Sequence, residues 1–245
     1  MRYAIISDIH ANLGALQNVL KDIASHKCSH IACLGDIVGL GDQPKECLDL
    51  IRKMDIPCVR GNYDEYCSGE CSLENLSHAD HIRWTREQLT AEDREWLQAL
   101  PYTLSVSGFT IVHSTLDKPQ KWEYVFDQLA AAKSLSHQSA PVCFYGHTHQ
   151  PCAFIREGVV KGGSFEKLRV ESNRKYFVNA GSVGQPRDGS RQSSYAIYDL
   201  DERLIELKRL DCPRSDLGRD ASGSPAPVRK PPGGKPPFLS DKNEL

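Results

Sequence analysis

The sequence predicts an α/β fold, and three observations carry the prediction. Short apolar runs alternate with helical periodicity: Arg2 to Ser7, Ile31 to Leu34 and Ile56 to Val59 read as strands, with helical segments between them. Each run ends in a polar, ligand-type residue, at Asp8-Ile9-His10, Gly35-Asp36 and Gly61-Asn62-Tyr63-Asp64. Ligands of α/β sheets gather at the carboxyl ends of strands. Further on, Ala153 to Arg156, Lys167 to Val170 and Tyr176 to Val178 read as strands of a second sheet.

The elements follow in order. Asn12 caps a first helix, with Leu13, Leu16, Leu20 and Ile23 at helical spacing. Gly39 and Gly41 make a loop, and Pro44 opens a second helix with Cys47, Leu48 and Ile51 inward. Residues 65–100 are polar and helical and read as an insertion beside the core, with Thr90 as a cap. Thr103 to Val106 and Phe109 to Val112 form a hairpin over Ser107-Gly108, and its second strand ends in His113. A loop at Asp117 to Lys121 and a helix from about Glu123 to Leu135 lead to the strand Val142 to Tyr145. Gly146-His147-Thr148-His149 follows it. On a continuing strand, residues i and i+2 share a side, so both imidazoles are expected to face together, as are Asp8 and His10. Two such imidazoles suit a divalent metal; on this fragment alone, a loop pair that only hydrogen-bonds is the alternative. The loop Asn179 to Arg187 offers glycine N–H groups and a guanidinium to an anion. Tyr195 to Leu200 and Arg203 to Leu210 read as a closing hairpin over Asp201-Glu202.

Composition excludes several classes. A formal net charge of −2 argues against a strongly basic nucleic-acid surface, and no apolar run reaches transmembrane length. The N-terminus shows no apolar signal region. The nine cysteines are odd in number and scattered, several inside strand-like runs, which points to free thiols and a cytoplasmic enzyme. Cys67 and Cys71 have no second pair at zinc spacing, and His78 and His81 have no ligand companions, so both pairs read as packing or surface residues. The proposed domain is 1–211. Seven of the fourteen prolines fall in 212–245, among Gly, Ser and Lys, and that stretch reads as a disordered tail.

Asp8, His10, Asp36, Asn62, His113, His147 and His149 are the strand-end donors. They are too many for one divalent ion and suit two ions that share a carboxylate. Four imidazoles with three oxygens suit borderline cations such as Mn²⁺, Fe²⁺ or Zn²⁺, of which Mn²⁺ is the one expected.

In this arrangement the sequence resembles the calcineurin-like metallophosphoesterases, in their small prokaryotic branch. The blocks Asp8-Ile9-His10, Gly35-Asp36, Gly61-Asn62-Tyr63-Asp64, His113 and Gly146-His147-Thr148-His149 stand in the family's order from residue 1 to about 210. The resemblance implies a four-layer sandwich of two mixed β-sheets flanked by helices. It implies that Asp8, His10 and His149 hold one metal, that Asn62, His113 and His147 hold the other, and that Asp36 bridges them. It also implies in-line attack on phosphorus by a bridging water whose pKa is lowered by two ions about 3.5–4 Å apart. Asp36, Asn62, Tyr63 and Asp64 are the candidate catalytic group, with Asn12 and Arg187 as candidate phosphate contacts. For Arg187 a structural salt bridge is the competing reading.

Two departures from the family pattern matter. Tyr63 stands where the family has His, and a phenol is a poorer proton donor to the leaving oxygen. The run Gly35 to Gly41 lacks the arginine of the protein Ser/Thr phosphatases. The expected function is hydrolysis of phosphomonoester or phosphodiester bonds in a small, nucleotide-like substrate. A non-catalytic metal-binding scaffold and a nuclease are the alternatives, and oligomeric state is left open.

Overall fold

Alternation of side chains along the strands sorts the interior of the described residues into three cores. The computed structural model describes residues 1–212 apart from 70, 75 and 77. One sheet runs in the order β2 (His30–Cys33), β1 (Arg2–Ile6), β10 (Gln192–Asp199), β11 (Leu204–Asp211) and β8 (Lys167–Arg169). The other runs β3 (Thr103–Val106), β4 (Phe109–Val112), β5 (Val142–Tyr145), β9 (Lys175–Asn179), β6 (Cys152–Glu157) and β7 (Val159–Gly163). Both are mixed: β1 lies parallel to β2 and antiparallel to β10, and β9 lies parallel to β5 and antiparallel to β6.

Successive residues of a strand point to opposite sides. Tyr3 and Ile5 of β1 therefore meet Phe109, Ile111, Phe144 and Val178 between the sheets. Ala4 and Ile6 meet Ala15, Leu16 and Val19 of α1 (Leu13–Ser25) and Cys47, Leu48 and Ile51 of α2 (Pro44–Met54) on the outer side. Cys143 and Tyr145 of β5 meet Ala131 and Leu135 of α6 (Gln128–His137) on the far side of the other sheet. The layers are helices, sheet, sheet, helix, as expected. Each large side chain so buried contributes roughly 1.5–3 kcal/mol.

Several expectations are corrected. Ile56 to Val59 does not extend into a strand; it makes a single parallel bridge, Cys33 with Cys58. Pro57 has no N–H to offer a ladder, and the chain turns at Gly61 into α3 (Asn62–Ser68). The stretch Lys167–Arg169 pairs with β11 and so edges the first sheet, not the second. Strand β7 was not expected: its sequence carries two glycines and alternates only between exposed and half-buried positions, so it has no apolar signature. It pairs antiparallel with β6 across Gly158. Helix α6 starts at Gln128 rather than Glu123, because the Asp127 carboxylate caps it by accepting from the Ala130 N–H at 2.8 Å. Residues 65–100 do not sit beside the core. Cys67, Leu73, Ile82, Leu89 and Leu97, from α3, α4 (Ala79–Gln88), α5 (Ala91–Ala99) and their links, share one cluster with Ala4 and Ile6.

His81 donates from Nε2 to the Gly41 carbonyl at 3.0 Å, the packing role expected for it. Among the described residues, no helix is long and apolar enough to cross a membrane. Of the expected tail, 212–245, only Cys212 lies within the described residues.

Candidate metal centre

The ends of β1, β2, β4 and β5 meet at the seam between the sheets. Beyond β1 the backbone keeps to β2's extension: Asp8 N donates to Gly35 O at 3.0 Å and His10 N to Asp36 O at 2.9 Å. Across the seam, Gly146 N donates to His113 O at 2.9 Å, and His147 N to the Asp8 carboxylate at 3.0 and 3.2 Å. Three glycines let these segments approach, Gly35 and Gly146 after strands and Gly61 at the start of α3. A Cβ on Gly146 would stand 2.6 Å from Asp8 Oδ2, one on Gly61 2.8 Å from Asp36 Cγ, and one on Gly35 2.8 Å from Val59 O.

Two donor groups result. The first holds Asp8, His10, Asp36 and His149; the second holds Asp36, His113 and His147; within each, the donor atoms lie within 4.8 Å of one another. Asp36 belongs to both, with Oδ2 at 3.5 Å from His10 Nε2 and 3.4 Å from His113 Nε2. The Asn62 amide oxygen joins the second group at 3.2 Å from His113 Nε2. All seven residues are buried.

The sequence reading put His147 and His149 on one side of a continuing strand. The structure sends them to different groups, because both residues take left-handed backbone, φ 65° and 57°. Asp8, His10 and Asp36 do the same at φ 53°, 48° and 52°. Positive φ is uncommon outside glycine and costs of order 1–3 kcal/mol each, which is the mark of a functional site.

Backbone carbonyls set the histidine tautomers. His113 Nδ1 faces Leu34 O at 2.7 Å, His149 Nδ1 faces Gln185 O at 2.5 Å, and His147 Nε2 faces Trp122 O at 2.9 Å. A carbonyl only accepts, so those nitrogens carry the hydrogen and the others keep a lone pair. His113 Nε2 then faces Asn62 Oδ1 and Asp36 Oδ2, and His149 Nε2 faces Asp8 Oδ1, 3.2 Å away, and His10 Nε2, 3.0 Å away. So many nitrogen and oxygen acceptors in so small a space need positive charge among them, carried by protons or by a cation. The donor set therefore fits divalent cations, and nitrogen with oxygen ligands suits borderline ones.

Electrostatics agree. Burial first, and then the His113 charge, push the His147 pKa down to about 3. Burial likewise takes His10 to about 3. Burial alone would raise the carboxyls of Asp8 and Asp36, but the surrounding imidazoles outweigh it and hold both below the usual range. Burial would lower His113; Asp36 and Asp8 overcome it and raise the group to about 9, so without a cation this imidazole holds a proton in its place. Neutral imidazoles beside ionised carboxylates are the metal-binding forms.

The remaining expected residues take distinct places. Asp64 is not among the donors. Its Oδ2 accepts from the N–H groups of Asp36 (2.8 Å) and Gly61 (3.0 Å), and its Oδ1 from those of Ile37 (2.9 Å) and Val38 (3.3 Å). Burial and the Asp36 charge raise its pKa to about 6. Tyr63 donates its backbone N–H to Asp36 Oδ1 at 2.8 Å and sets its ring edge-on to His10, 5.1 Å between centroids. Burial, then Asp36, pushes its phenol well above the usual range. Asn12 works within the fold: Oδ1 caps α1 at Ala15 N (3.1 Å), and Nδ2 donates to Gly184 O (3.0 Å). The Arg187 guanidinium donates to Gln185 Oε1 at 2.6 Å, and among the described residues no carboxylate lies within ion-pair distance of it.

Sequence reasoning missed the supports behind the donors. Ser7 Oγ donates to Asp8 Oδ2 at 2.6 Å, Ser182 Oγ to Asp8 O at 2.8 Å, and Asn179 Nδ2 to Gly146 O at 2.7 Å. Ser7 and Asn179 each end a strand, the same signal that marked the donors, but a support and a ligand look alike there.

Known proteins share the sequence pattern and the fold. The family model for the calcineurin-like phosphoesterase superfamily domain matches residues 1–203. An uncharacterised protein from Methanocaldococcus jannaschii is 37% identical over 216 residues, 85% of this chain and 86% of that protein. The crystal structure of a metallophosphoesterase from Sphaerobacter thermophilus superposes with a TM-score of 0.76 at 36% identity, over 89% of this chain and 91% of its own. A hypothetical protein from Pyrococcus horikoshii shares the fold, with a TM-score of 0.68 at 18% identity over 88% of this chain and 90% of that one. The chain belongs to the calcineurin-like phosphoesterase superfamily and is a metal-dependent phosphoesterase.

Proposed function

We propose that the chain hydrolyses phosphomonoester or phosphodiester bonds of small, nucleotide-like molecules with two divalent cations bound. Asp8, His10 and His149 hold one, Asn62, His113 and His147 hold the other, and Asp36 is shared. The observation that carries the reading is Asp36 Oδ2, at 3.5 and 3.4 Å from one imidazole of each group. Bound there, the cations supply charge neutralisation on the phosphoryl oxygens and acidification of the attacking water. Mn²⁺ suits the three oxygens and Fe²⁺ or Zn²⁺ the four imidazoles, and none of the nine free thiols joins either donor group. Free thiols throughout support a reducing compartment, the cytoplasm.

The chain's own groups do the rest. Arg187, with no carboxylate partner among the described residues, offers its guanidinium to phosphate oxygens beside His10 and His149. Asp64 acts as a positioning residue, because it fixes the loop that carries Asp36. As the P–O bond breaks, the leaving oxygen takes up a proton. Tyr63 keeps its own near neutral pH and donates at most a hydrogen bond, so that proton comes from solvent. Esters of acidic alcohols and phenols are therefore the better substrates.

The test strips the protein of metal, titrates Mn²⁺, and follows metal content together with hydrolysis of p-nitrophenyl phosphate and its bis ester. Two ions per chain and turnover of at least one ester are expected, and Asp36→Ala loses both ions. One ion at saturation, or no turnover of either ester, refutes the reading.

A further inference from the structure

We infer that Tyr124 and Phe126 form a stacking shelf for a flat aromatic group of the substrate ester, a nucleobase or an aryl ring. The inference rests on the phosphoesterase reading and adds the group that the site selects.

Residues 122–126 run between a short 3₁₀ turn, Pro119–Lys121, and α6. Val125 is buried there, while Tyr124 and Phe126 remain 48% and 43% exposed. The stretch is held against the donors. Its Trp122 carbonyl accepts from His147 Nε2 at 2.9 Å, and the Tyr124 ring lies nearly parallel to the His147 ring, 4.1 Å between centroids and 15° between planes. Phe126 continues the stack over Tyr124 at 5.4 Å and 11°. Three near-parallel rings thus lead from a proposed metal ligand to the surface.

Two large aromatics left open are not explained by packing, since burial would favour them. Their position is what points to a ligand. The Tyr124 ring lies directly against His147, a donor of the second group. An ester with its phosphate at the donors has its organic group a few bonds away. A stack of parallel rings with half-exposed members matches a planar group better than a puckered one. Leu129, in the first turn of α6, is 76% exposed.

The test compares benzylphosphonate with cyclohexylmethylphosphonate, alike in charge and size and different in planarity, by calorimetric binding to the Mn²⁺-loaded protein. Benzylphosphonate is expected to bind about 5- to 150-fold tighter, the range of a single stack read by alanine substitution. Phe126→Ala and Tyr124→Ala bring the ratio close to one, and Tyr124→Phe keeps it. Equal affinities in the wild type, no binding of either phosphonate, or a ratio unchanged in Phe126→Ala overturns the inference. Hydrolysis of benzyl and cyclohexylmethyl phosphates in the same preparations separates the two readings. A binding preference without turnover of any ester sinks the phosphoesterase assignment and leaves the shelf; turnover without preference sinks the shelf alone. Sedimentation of Phe126→Ala and Leu129→Ala gives the last outcome: if the wild type self-associates through this surface and shows no aromatic preference, the patch is a subunit contact and the inference is overturned.

Discussion

Gly61→Ala tests the geometry where it is tightest. Gly61 takes φ −95° and ψ 172°, which any residue adopts, so the substitution brings no backbone strain. Its cost is contact alone. The new methyl would stand 2.8 Å from Asp36 Cγ and closer still to that residue's Oδ1 and amide nitrogen. Carbon atoms in contact normally lie about 3.5–4.0 Å apart, so Asp36 must retreat by roughly 1 Å. Such overpacking costs about 1–3 kcal/mol of stability, and a misplacement of that size costs about 10²-fold in rate. In a domain of this size the stability loss lowers Tm by roughly 2–12 °C. The assay is kcat/KM on p-nitrophenyl phosphate at saturating Mn²⁺, with metal content and Tm measured on the same preparation. Gly163→Ala is the control, because a Cβ there has nothing within 4 Å. A Gly61→Ala enzyme with both ions bound and kcat/KM within threefold of wild type would refute the claim that Asp36 works only where it now stands.

Other outcomes follow from the same geometry. Asp64→Asn keeps one carbonyl oxygen but turns an amide NH₂ toward two of the four backbone donors, so it is expected to lose about 2–6 kcal/mol; an unchanged denaturant midpoint would count against the clamp. Tyr63→His is expected to speed poor leaving groups most and activated aryl phosphates least, read as a shallower dependence of kcat on leaving-group pKa; an equal change across the series rules out the proton argument. Asp93 concerns stability instead. Burial would raise its carboxyl, but the Thr90 N–H and hydroxyl and then Lys45 outweigh that and hold it below the usual range. A folded pKa below the unfolded one gives stability that is present above about pH 4 and lost as pH falls through the folded value. Asp93→Asn should therefore be about 1–3 kcal/mol less stable at pH 7, with the gap closing on acidification; a gap constant from pH 7 to 3 would contradict it.

Much of this was legible in the sequence because burial leaves a pattern. The runs before Asp8, Asp36, His113 and His147 are apolar on both sides, and both sides are covered, one by the opposite sheet and one by helices. Strand β7 left no such pattern, since none of its residues is fully buried. The sheet to which Lys167–Arg169 belongs depends on a partner, Leu204–Glu206, more than thirty residues away, and no local signal encodes that. At the site, the donor types could be read, but their partition could not. It depends on left-handed backbone at His147 and His149 and on carbonyls of Leu34, Trp122 and Gln185, and a carbonyl is carried by every residue.

Each donor group draws on both halves of the sandwich: Asp8, His10 and Asp36 follow strands of one sheet, and His113, His147 and His149 follow strands of the other. A cation seated there acts as a cross-link. It fastens the two sheets at one edge and joins His10 to His149 across 139 positions of chain. At a free concentration one hundred times its Kd, one such ion adds about 2.7 kcal/mol to folding. A chelator then removes more than reactivity, because it unfastens one seam of the protein.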